Sequence, residues 1–148
     1  MQMSETWIKN YFADHSEVFS ERVMAAACQI AFDAVESCAD DLDLLEHEKS
    51  RAKEFMESAR EIVTDSRTHS GYWMEFRNDI GLWFGEVESK HGLKLAMALF
   101  ELFPNPESRT SPLVNAADLV WTVSKDQYES WDAVLEDLVG KTRSLLVQ

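Results

Sequence analysis

From Met24 onward, apolar residues recur at alternating steps of four and three: Met24, Cys28, Ala31, Val35, Cys38, Leu42, Leu45, Lys49, Ala52, Met56, Ala59 and Val63, with Lys49 the single polar member. This spacing puts one stripe of an α-helix against a core. Gly and Pro are absent from Met1 to Ser70, which favours helices over strands, because strands need turns and turns draw on those residues. The stripe has two solutions, a single helix from about Glu17 to Asp65 or two helices that break near Ser37 to Asp41. The break is preferred, since Ser37, Asp40 and Asp41 compete for backbone hydrogen bonds and suit helix ends better than interiors. An unbroken rod would instead suit a coiled-coil dimer.

Upstream, Ser4 opens a short amphipathic piece through Asp14 that carries Trp7, Ile8, Tyr11 and Phe12. Ser16 is an N-cap candidate, with Glu17 placed in the first turn where a negative charge meets the helix dipole. In the centre, Tyr72, Trp73, Phe76, Ile80, Trp83, Phe84 and Val87 fit a helical stripe. Gly71, Gly81 and Gly85 oppose it, at about 1 kcal/mol for each glycine in a helix interior. The alternative at 72–88 is an aromatic β-hairpin, with strands Tyr72 to Arg77 and Leu82 to Glu88 around an Asn78-Asp79-Ile80-Gly81 turn.

Beyond Gly92, residues Leu93, Ala96, Met97, Leu99, Phe100 and Phe103 form a nearly all-round apolar helix that Pro104 and Pro106 stop. Ser111-Pro112 reads as a helix start with Pro at the first helical position. Ser124 and Gln127 have capping-box spacing for a last helix, which Gly140 ends or bends. The pattern predicts an all-α, single-domain bundle of about five to seven helices over residues 1–148. An α+β fold with the hairpin at 72–88 is the alternative.

Charge narrows the class of partner. The 148 residues hold 14 Lys and Arg against 27 Asp and Glu, a formal net charge of −13. Phosphate recognition needs clustered Lys and Arg, so direct nucleic-acid binding is not expected, and anionic lipid is disfavoured for the same reason. Neither a basic stretch leading into a signal-length apolar run nor a membrane-length apolar segment is present, so a cytoplasmic location is expected. Cys28 and Cys38 lie ten residues apart, roughly 15 Å along a helix, too far to bridge. They read as reduced packing residues.

Motifs for catalysis are sparse. Glu88 and His91 have the spacing by which a helix offers a carboxylate and an imidazole to one metal, but helical di-metal sites use two such pairs and no second copy exists. Asp65 and His69 form a weaker pair. Glu54, Glu57 and Glu61 share one helix face, and Glu129, Asp132 and Glu136 another, which leaves a metal-dependent helical hydrolase as the catalytic alternative. No nucleophile elbow is present, and Gly81-Leu82-Trp83-Phe84-Gly85 lacks the Lys and Ser or Thr of a phosphate loop. Close helix contact is the expected reason for its two glycines. No cofactor is implied.

The sharpest feature is electrostatic. No basic residue lies between Arg22 and Lys49, whereas Asp33, Glu36, Asp40, Asp41, Asp43, Glu46 and Glu48 carry seven negative charges. On a continuous helix, Asp33, Glu36, Asp40 and Asp43 would line one face. Such a surface attracts a protein partner with a basic face. The expected function is a non-catalytic protein-binding module of the inhibitor, antagonist or immunity type that phages and mobile elements also carry. A homodimer formed through the long apolar seam is a further alternative. Exposed aromatics from Tyr72-Trp73 and Trp83-Phe84 would add affinity, although core filling is the commoner use of such rings.

Overall fold

The computed structural model describes residues 21–64, 72–102 and 112–146. Six α-helices lie in these residues: α1 (Glu21–Cys38), α2 (Glu46–Thr64), α3 (Tyr72–Phe84), α4 (Lys90–Phe100), α5 (Pro112–Val123) and α6 (Trp131–Leu146). Short 3-10 turns follow α1 at Ala39–Asp41 and α5 at Lys125–Gln127. No strand occurs among the described residues, so the all-α reading holds and the hairpin at 72–88 is corrected to helix α3. The amphipathic piece at Ser4 to Asp14, the Ser16 cap, the Asp65–His69 pair and the Pro104 and Pro106 stop lie outside the described residues.

Helix α1 is the hub. It packs against α5 and α6 on one side and against α2 and α4 on the other, while α3 is held between α2 and α4. Small residues make such crowding feasible: Ala27, Ala31 and Ala34 are buried on α1, and Ala116 and Ala117 on α5. Buried side chains of all six helices join in one connected core. Phe55 of α2 stands edge-on to Phe76 at 6.2 Å and against Trp83 at 5.1 Å between ring centroids, which fixes α3 on α2. Adjacent Phe84 is half-buried and seals the neighbouring contact with Phe100, at 5.9 Å. Of this aromatic pair, Trp83 fills the core and Phe84 closes it.

Two helix ends differ from the sequence reading. Ser124 makes no side-chain cap; instead Ser130 Oγ accepts from the Ala133 N–H at 3.1 Å and starts α6. A carboxamide at 127 therefore has no helix start to close. Gly140 does not end the last helix, because α6 continues to Leu146. Pro112 does open α5, as its fixed φ and missing N–H allow.

Candidate binding surface

The apolar stripe breaks where the polar residues require it. Ser37 Oγ donates back to the Ala34 carbonyl at 2.8 Å and Cys38 ends α1. Ala39–Asp41 make one 3-10 turn, after which Leu42 is extended and buried. The stripe lapses at the turn and resumes in α2, where Ala52 and Ala59 are buried and Met56 and Val63 pack against the core. Leu45 and Lys49, members of the predicted stripe, are exposed, and the buried row of α2 runs Glu48, Ala52, Phe55 and Ala59.

Glu48 is the unexpected member of that row. Its side chain is fully buried, and its carboxylate accepts four hydrogen bonds. Oε1 receives the Leu45 N–H at 2.9 Å and the Ser89 hydroxyl at 2.6 Å. Oε2 receives the Glu88 N–H at 2.8 Å and the Ser89 N–H at 3.0 Å. The first bond is the reciprocal half of a capping box, returning from the first turn of α2 to its N-cap. The other three fasten the start of α4, where Ser89 Oγ also accepts from the Gly92 N–H at 2.9 Å. One carboxylate thus serves two helix starts and joins residues 40 positions apart in the chain, Glu48 and Glu88. Burial alone would raise its pKa, but donation from the Ser89 hydroxyl and the Leu45, Ser89 and Glu88 amides outweighs that and lowers it to about 2.

Gly92 completes the joint. A Cβ there would meet Ser89 Oγ at 2.8 Å, Val87 Cγ1 at 2.9 Å and Glu48 Cδ at 3.0 Å, so any side chain would displace the hydrogen-bonded pair. Above the joint, the Asp43 N–H donates to His91 Nδ1 at 2.7 Å, and His47 Nε2 lies 3.9 Å from Glu88 Oε2. The turn between α1 and α2 is therefore tied to α4 through main-chain donors.

Against this frame the seven acidic positions separate. Asp33 is exposed on the outer face of α1. Glu36 is half-buried and paired with Arg60 of α2. Asp40, Asp41 and Asp43 are exposed, and no Lys or Arg among the described residues pairs with them. Glu46 is exposed and within 3.3 Å of Lys49. Because α1 ends at Cys38, Asp33, Glu36, Asp40 and Asp43 do not form one helical face. Glu48 points into the joint, away from any partner. What remains is a compact anionic turn of Asp40, Asp41, Asp43 and Glu46, with Asp33 standing apart.

No family model, no curated protein and no solved structure matches this chain.

The residues suggested for metal chemistry are not brought together. Glu88 faces His47, whereas His91 accepts from Asp43. Glu54, Glu57 and Glu61 are exposed on α2, with Glu54 paired to Arg51 at 2.9 Å. Among the described residues no group of three or more His, Cys, Asp or Glu side chains is arranged to hold a metal ion. Cys28 and Cys38 are free and buried. Burial pushes both thiols up to about 12, where a reactive thiolate is not available. An open groove of about 580 Å³ lies between α1 and α6, with Ile30, Glu136, Gly140 and Leu145 in its wall. No helix among the described residues is long and apolar enough to cross a membrane.

Treating the seven acidic residues as one surface set hides the joint at Glu48. A usable signal was present. Ala52 and Ala59 continue to Glu48 by a four-residue step and take in Phe55 between them, a row that puts an acid in phase with the core. Ser89, three residues before Gly92, supplies the matching N-cap.

Proposed function

We propose that this protein is a non-catalytic binding module that docks on the basic surface of a partner protein, as inhibitor, antagonist and immunity proteins do. The observation that carries the reading is the exposed turn of Asp40, Asp41 and Asp43, free of basic partners among the described residues and anchored from below by Glu48 and His91. A turn whose backbone is fixed before binding loses little main-chain freedom on association. The shared field of its carboxylates speeds encounter with a cationic face and repels anionic ones. Buried, reduced cysteines suit a reducing compartment such as the cytoplasm. The alternative homodimer has less to build on, because the apolar seam it would use is interrupted at Ala39–Asp41 and lies within the chain's own core.

Salt provides the test. The protein is immobilised and exposed to lysate of its native source at low and at moderate ionic strength. A basic protein retained at low salt and released as the Debye length shrinks is the expected result. Retention indifferent to salt, or no retained protein, contradicts the reading.

A further inference from the structure

The anchor of the acidic turn contains a titratable acceptor. His91 Nδ1 receives the Asp43 N–H at 2.7 Å, joining positions 48 residues apart. An imidazole nitrogen accepts only while it carries no proton, so the ring in this contact is neutral with its hydrogen on Nε2. We propose that His91 is an acid-opened latch on the turn: a proton taken from solvent at Nδ1 turns that nitrogen from acceptor to donor, releases the Asp43 amide and redirects the ring toward the carboxylates of the turn.

The charged and titratable groups of the elements joined here fit such a device. The turn supplies Asp40, Asp41 and Asp43, α2 supplies Glu46, His47, Glu48 and Lys49, and the start of α4 supplies Glu88, Lys90 and Lys94. Lys94 is engaged with Asp118 at 3.0 Å and Glu46 with Lys49 at 3.3 Å. His47 is directed to Glu88 and not to the Asp43 amide. Glu48, held down to about 2 by its four donors, stays ionised across the range in which histidine side chains change charge. Acidification therefore removes one of two anchors and keeps the other, so the turn loosens while α2 and α4 remain joined. Under the docking reading, the new positive charge beside Asp40, Asp41 and Asp43 also weakens attraction for a basic partner. The structural test is independent of that reading and needs no partner.

The test uses the full chain labelled with nitrogen-15. Ring-nitrogen shifts of His91 and hydrogen-exchange protection of the Asp43 amide, corrected for the intrinsic exchange rate, are followed from pH 8 to pH 5. Protection of Asp43 should fall about three- to tenfold, the scale of one net hydrogen bond, in step with the His91 ring. The Leu45, Glu88 and Ser89 amides should hold theirs. His91→Asn offers a non-titrating oxygen in place of Nδ1 and should keep Asp43 protected at both ends of the range, whereas His47→Asn should behave as the parent. A hydrogen on His91 Nδ1 at pH 8, Asp43 protection unchanged through the His91 titration, or an equal loss in His91→Asn overturns the proposal. If His91→Asn does not fold, the comparison of ring and amide in the parent chain decides it.

Discussion

Glu48 shows how much a single side chain can decide. Its oxygens accept from four donors, and an amide in their place would put N–H groups against N–H groups. Glu48→Gln should cost about 1–3 kcal/mol, the usual penalty for leaving buried donors unsatisfied, measured by urea unfolding at pH 7. The sign with pH follows from the lowered value. A carboxyl that titrates near 4.5 when free and at about 2 when folded adds stability above the upper value and loses it as pH falls toward the lower. The parent chain should therefore weaken between pH 5 and pH 2 more steeply than Glu48→Gln, and equal slopes would contradict this role. Glycines divide by the same geometry. Gly92→Ala puts a Cβ within 3.0 Å of the Glu48–Ser89 pair and should destabilise by about 1–3 kcal/mol. Gly81→Ala meets only the Phe100 ring at 3.9 Å and should stabilise helix α3 by about 0.5–1 kcal/mol in thermal unfolding. The expected close contact at Gly81 and Gly85 is thus absent, and the glycine that does need its missing side chain is Gly92.

At the scale of elements, the helices were legible because their signals are local. The three-and-four spacing, the break at Ser37 to Asp41 and Pro112 at a helix start all survive in the structure. In the aromatic segment, periodicity prevails over Gly81 in the helix interior because Phe76, Ile80 and Trp83 all bury against neighbouring helices, while Gly85 falls in the turn after α3. The stripe was legible within α2, where Ala52 and Ala59 are buried and Met56 and Val63 pack against the core. It failed at Leu45 and Lys49, which the turn leaves exposed, and only the partner helices reveal that Phe55 and Glu48 face inward. The acidic face failed for a related reason, since it assumed one helix through Asp43. Phe55→Ala tests the inward face of α2. It removes the ring that meets both Phe76 and Trp83, and should cost about 3–5 kcal/mol, read from the shift in denaturation midpoint. A loss within a few tenths of a kcal/mol would place the α2–α3 contact elsewhere.

Taken as a whole molecule, the described residues enclose both thiols and most of the apolar stripe, and, Glu48 apart, leave the acidic side chains of the turn and of α2 at the surface. With a net charge of −13, any cationic surface is attracted at long range, so bulk charge and the particular turn must be separated by experiment. Two charge-matched variants do this. Asp40, Asp41 and Asp43 are each changed to Lys in one, and exposed Glu57, Glu61 and Glu136 are each changed to Lys in the other. The decisive measurement is the retention of the basic partner by both proteins at the same low salt, beside the parent chain. The docking account predicts that the Asp40, Asp41 and Asp43 reversal abolishes retention and that the Glu57, Glu61 and Glu136 reversal largely preserves it. Equal loss in both variants, or undiminished retention by the first, would contradict it.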